Sequence, residues 1–193
     1  YEQFKEELET FDEWIDANKN RDLEILVEVN SVKPLFKKTI TGGKGQIRLD
    51  GYILIFRNGF IGQTELDDFF YAKISPQQQG QFQFARDDKF EAKGRFEFDR
   101  GRIVFPRIWS IEFERKAGGE AWTNSEALVA RQTATYFKEQ SENCLRCRYG
   151  ALVDVTEKLY GRDENKRELY CLKGVSHPDL CYIHTRRKID HCL

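Results

Sequence analysis

All five cysteines and all three histidines of this 193-residue chain lie between Cys144 and Leu193. Cys144-Leu-Arg-Cys147 sets two thiols two residues apart, and Arg148, Tyr149 and Gly150 follow directly. Cys171-Leu-Lys-Gly174, His177, Cys181, His184, His191 and Cys192 complete the segment. Two sulfurs at this spacing can grip one ion from a tight turn, and a glycine just beyond lets the chain leave that turn. Four Cys or His ligands satisfy a structural zinc ion. The expected set is Cys144, Cys147 and Cys171, completed by Cys181, His177 or His184. Cys192, almost terminal, is expected to stay free. Four thiolates also suit an iron–sulfur cluster, the alternative cofactor. A metal-free Cys144–Cys147 redox pair is the third reading, although that motif normally opens a helix after a strand and here follows a predicted helix. Five is an odd number of cysteines, so a disulfide framework would leave one thiol over. A reducing cytoplasm is therefore the expected location.

Residues 152–159 and 167–172 read as two strands joined through Gly161–Asn165, which returns the chain to Cys171. This layout resembles a zinc ribbon or a related zinc knuckle over about fifty residues. It departs from that pattern in one respect: Cys171 has no close second cysteine, the next being Cys181. The resemblance implies a small Cys/His module in which the ion supplies the stability that so short a segment cannot bury for itself.

Other chemistry is sparser. Lys33, Lys37, Lys38, Lys44 and Arg48 form a stretch with no acidic residue, around the loop Gly42-Gly43-Lys44-Gly45. Such a loop can hold an anion or a nucleic acid with lysines and backbone amides, but no Lys-Ser/Thr opens a helix after it, so it is not a Walker motif. Thr185-Arg-Arg-Lys188 adds basic residues near Tyr149, Tyr160, Tyr170 and Tyr182, a mixture suited to single-stranded nucleic acid; seven acidic residues in 144–193 oppose it. Glu112-Phe-Glu-Arg-Lys116 after Asp99 resembles the acidic–lysine signature of metal-dependent nucleases, without the α/β core that signature needs. Every histidine sits among the ligand candidates and no nucleophile elbow is present, so the reading leans away from an enzyme.

The elements that must position these residues come from periodicity. Phe4, Leu8, Phe11 and Ile15 recur at helical steps, predicting an amphipathic helix over 1–18 with an acidic outer face. Leu23, Ile25, Val27 and Val29 then alternate as a strand. Further strands are expected over 47–56, 69–74, 81–84, 90–98 and 103–114, with Asn58-Gly59 as a type I′ hairpin turn and Pro106 marking a bulge or an edge. A helix from Thr123 or Asn124, with Glu126 in capping-box register, is expected to bury Leu128, Val129, Tyr136 and Phe137 and to run into Cys144.

Composition agrees with a globular protein: 40% hydrophobic, 33% charged and a net charge of −1, which gives no global field to recruit polyanions. No apolar run reaches the roughly 20 residues of a membrane span, and the opening residues lack a signal-peptide pattern. The expected fold class is α+β. An N-terminal helix precedes an antiparallel β-meander forming a bent sheet or small barrel, and a C-terminal helix leads into a zinc-ribbon-like Cys/His module. Two domains are expected, 1–122 and 123–193. The expected function is a non-catalytic binding or regulatory protein with a protein partner; the alternatives are an iron–sulfur redox protein and a nucleic-acid-binding protein.

Overall fold

A computed structural model of the chain describes residues 2–183, with side chains from residue 9 onward. Its described residues lie mostly in strands, with fewer in helix. The elements are α1 (Glu2–Asn18), β1 (Leu23–Thr41), β2 (Lys44–Ile61), β3 (Thr64–Leu66), β4 (Phe70–Ile74), α2 (Pro76–Phe82), β5 (Lys89–Gly94), β6 (Glu97–Asp99), β7 (Arg102–Phe105) and β8 (Ile108–Arg115). They continue with α3 (Asn124–Thr133), β9 (Thr135–Phe137), α4 (Glu142–Arg146), β10 (Gly150–Leu159), β11 (Arg162–Cys171) and a 3₁₀ turn over Pro178–Leu180. The strands form one mixed sheet of eleven. The chain divides into two compact units, the first built from 1–31, 54–74 and 85–120 and the second from 32–53, 75–84 and 121–193.

In the first unit, β1 pairs antiparallel with β5, from Leu23↔Gly94 to Glu28↔Lys89, and β5 pairs with β8. On its other side β1 neighbours β2, β2 neighbours β4, and β4 pairs parallel with β7 at Tyr71↔Val104. Only Pro106 and Arg107 separate β7, on the β4 side of the sheet, from β8, which pairs with β5. Alternation supplies the inward face: Ile25, Val27, Val29, Leu54, Phe56, Phe70, Ala72, Phe90 and Phe105 are buried. Phe56 lies at the centre, with ring centroids 5.1 Å from Phe70 and 5.9 Å from Phe90. Trp14 of α1 stacks on Phe96 at 5.5 Å, and its indole N–H donates to Thr64 Oγ1 at 2.8 Å. The fully buried Asp88 carboxylate accepts from the amides of Ala85 and Ala117 and from Lys116 Nζ, so its burial is compensated.

In the second unit, β10 and β11 form a hairpin in register from Gly150↔Cys171 to Leu159↔Arg162. β10 pairs parallel with the distal half of β1, from Phe36↔Val153 to Thr41↔Lys158, and β11 pairs with β9. Helix α3 starts at a complete capping box, Thr123 with Glu126.

Several expectations are corrected. The fold is not an α+β antiparallel meander, because the β4/β7 and β1/β10 junctions are parallel. Among the described residues, no C-terminal helix leads into a zinc-ribbon-like module. Helix α3 gives way to β9, the short α4 carries Cys144, and the hairpin after it belongs to the large sheet. Among the described residues, no three His, Cys, Asp or Glu side chains group so as to hold a metal ion. Asn58-Gly59 is not a hairpin turn: β2 runs through it, and the chain reverses at Gly62. A Cβ on Gly59 would meet Leu26 O at 2.8 Å, so its glycine serves a close approach of backbones, not a positive φ. Residues 81–84 are not a strand: Gln81 and Phe82 end helix α2, which Ser75 and Gln78 start with a second capping box, and Gln83 caps it. Helix α3 buries Ala127 and Ala130, leaving Leu128 and Val129 42% and 66% exposed.

Candidate metal centre

The turn at Cys144–Cys147 is fixed by backbone bonds: Cys147 N–H donates to Cys144 O at 3.2 Å and Gly150 N–H to Cys147 O at 3.0 Å. Gly150 then opens β10 opposite Cys171, and Leu172 N–H closes the junction on Tyr149 O at 2.8 Å. A Cβ on Gly150 would overlap the Cys144 carbonyl oxygen, so only glycine lets the turn fold back this tightly. Gly174, at φ +70°, ends the matching turn after Cys171, its N–H donating to Cys171 O at 3.1 Å. The 3₁₀ turn over Pro178–Leu180 delivers Cys181.

All four cysteines are free thiols; Cys144 and Cys181 are buried and the other two half-buried. Cys144 packs with Phe137 and Leu169, and Cys171 lies against the same cluster. Burial pushes the Cys144 thiol up, and the neighbouring Cys171, Cys147 and Cys181 push it the same way, whereas a hydrogen bond with Ser141 acts against them. Cys147, Cys171 and Cys181, from three separate segments, are thus near enough to act on the Cys144 thiol, although among the described residues they do not group so as to hold a metal ion.

Lys33 completes this neighbourhood from β1. It is buried, and its ammonium donates to Leu145 O and, at 3.0 Å, to Gly150 O. These carbonyls belong to the first cysteine turn and the strand leaving it. Burial pushes the Lys33 pKa down to about 8, while the nearby Cys147 and Cys144 act to raise it. A cation placed beside thiols favours their deprotonated, metal-binding form.

The histidines contribute less. His177 is exposed, with Nδ1 accepting from Asp179 N–H at 3.4 Å and lying 3.3 Å from the Asp179 carboxylate. His184, His191 and Cys192 lie outside the described residues, as does the Thr185–Lys188 patch.

The remaining members of the basic stretch are placed apart from Lys33. Lys37 pairs with Asp50 at 2.7 Å, and Arg48 reaches the same carboxylate at 3.5 Å. Lys38 donates to Glu168 at 3.2 Å and to Tyr170 Oη at 2.8 Å. Lys44 is exposed beside the Gly42–Gly43 turn.

Trp122, Arg148 and Lys173, not singled out as site residues from the sequence, lie around Tyr149. Tyr149 meets Trp122 edge-on at 5.7 Å, the Arg148 guanidinium lies 5.2 Å from the Tyr149 ring and 5.4 Å from Trp122, and Lys173 Nζ lies 4.4 Å from the Tyr149 ring. Arg148 and Lys173 each follow a cysteine by one or two positions, which is the signal that would have linked them. Among the described residues no helix is long and apolar enough to cross a membrane. Comparison with protein-family models, with curated proteins and with solved structures finds no match to this chain.

Proposed function

We propose that this chain is a non-catalytic binding protein of regulatory type, in which Cys144, Cys147, Cys171 and Cys181 close on one soft metal ion, zinc foremost. The observation that supports the reading is the gathering of four free thiols by two glycine-terminated turns and a 3₁₀ turn. Thiols cluster in this way for an ion or for disulfides, and a four-thiol set satisfies tetrahedral zinc with no position left for substrate. The ion is then a clamp: it ties the turn before β10, the end of β11 and the segment after it. Closing on it draws the sulfurs together and releases their protons, which offsets the burial that holds Cys144 as a thiol. The β-rich part carries recognition.

Elemental analysis of the intact, purified protein tests this reading. One equivalent of zinc in a colourless preparation is the expected result, and Cys147→Ser should lower that content and speed hydrogen exchange around residues 144–181. Iron with visible absorption would replace zinc by an iron–sulfur cluster. A protein free of metal even after zinc addition, with stability indifferent to chelators, would sink the proposal.

A further inference from the structure

The sheet of the first unit carries two unlike outer surfaces. Around β1, β5 and β8 its cations are neutralised: Lys89 pairs with Glu114 at 2.7 Å, Lys93 with Glu24 at 3.4 Å and Arg115 with Glu28 at 3.0 Å. The neighbouring strands β2, β4 and β7 differ. Alternation with buried Leu54, Phe56, Phe70, Ala72 and Ile74 turns Ile55, Arg57, Phe69, Tyr71 and Lys73 outward. Arg102 joins them from β7, its guanidinium 5.5 Å from the Tyr71 ring. These six outward positions hold three cations and two aromatic rings, and Asp99 of β6 stands opposite Arg102. Among the described residues Arg57, Lys73 and Arg102 form no ion pair, although carboxylates are common in this unit. Phe69 is 47% exposed, a large apolar ring left in solvent next to those charges.

Cations without an ion pair, next to the exposed Phe69 and the half-buried Tyr71, match a ligand with regularly spaced negative charge and flat apolar faces. Single-stranded nucleic acid has both, whereas an acidic peptide supplies charge without stacking faces, and a duplex hides its bases. We infer that the outer face of β2, β4 and β7 binds single-stranded nucleic acid, with Arg57, Lys73 and Arg102 on phosphates and with Tyr71 and Phe69 under bases. The inference rests on the reading of the chain as a binding protein, and it does not use the cysteines. The Arg102 guanidinium already lies over the Tyr71 ring, so a base that stacks on Tyr71 takes the side of the ring that the guanidinium leaves open.

Fluorescence anisotropy with a labelled oligo(dT) strand and the intact protein tests this, with metal content measured on the same preparation. Binding at low salt is expected, weakening with salt on a slope of about −2 in log K against log salt, since each phosphate contact on a single strand contributes roughly 0.7. Replacing any one of the three cations by Gln should reduce the slope by about 0.7. Tyr71→Ala should weaken binding by roughly tenfold, the scale of one lost stacked base. Lys93→Gln, on the neutralised side, should leave both affinity and slope unchanged. Each variant's thermal unfolding serves as its folding control, and Tyr71→Phe should restore binding in a ring-dependent site. No salt-dependent binding by well-folded protein overturns the inference. Equal affinity for heparin with Tyr71→Ala unaffected overturns it too, because charge alone would then account for the binding. Failure here with zinc present removes the nucleic-acid partner and leaves the metal reading standing.

Discussion

Glu168 is a carboxylate with three donors around it, and its titration follows from them. Burial would raise its pKa, but hydrogen bonds from Lys38, Tyr170 and Lys166 outweigh that and hold the carboxyl below its ordinary value. In the unfolded chain it titrates near 4.5. Between that value and the lower folded one the unfolded chain binds more protons, so stability falls as pH falls. The contribution is complete above the unfolded pKa and lost as pH drops through the folded one. Thermal midpoints measured between roughly pH 6 and 3 should therefore decline less steeply for Glu168→Gln than for the parent protein; parallel curves would contradict this account. At the same scale, the clustering of the thiols was legible from the sequence, since CxxC spacing is a local property. Lys33 was not. It stands among basic residues and reads as an anion contact, and only the pairing of β1 with β10 turns it inward, toward the carbonyls of Leu145 and Gly150.

At the scale of elements, the junction between the first cysteine turn and β10 depends on one missing side chain. Gly150→Ala would drive a methyl group into the Cys144 carbonyl oxygen, and backbone cannot step aside as a flexible side chain can. A loss of about 1–3 kcal/mol in urea denaturation is expected, the range of an overpacked interior, with faster amide exchange at Leu172. Unchanged stability would mean that the turn is looser than described. Local capping chemistry was read well here: Thr123 and Glu126 start α3 as their spacing requires. Two other local signals were overridden by packing. Asn58-Gly59 has the residues of a tight turn, yet the approach of Leu26 O keeps the strand straight through it. Leu128 and Val129 have the apolar character of a buried stripe, but the small Ala127 and Ala130 allow closer packing and take the inward face.

At the scale of the whole molecule, the sheet of the first unit stands on its aromatic interior. Phe56 is fully buried between Phe70 and Phe90. Phe56→Ala should cost about 3–5 kcal/mol in denaturant unfolding, because the lost transfer energy adds to a cavity that fixed neighbours cannot fill. A cost under about 1 kcal/mol would indicate a collapsible interior. The two compact units interleave along the chain, which no composition shift announces, because β1 and β2 each run through both.

The sequence by itself determined what repeats locally: strand alternation, the capping box of α3 and the clustering of thiols in one segment. Such features depend on residues two to four positions apart, whose contacts form in any fold that keeps the local conformation. Tertiary structure alone decided the parallel β4/β7 and β1/β10 junctions, the inward turn of Lys33, and the contrast between a neutralised and an unpaired cationic face. Each joins residues tens of positions apart. Which distant partner a strand meets is set by the competition to bury the whole interior, and no single stretch carries that information.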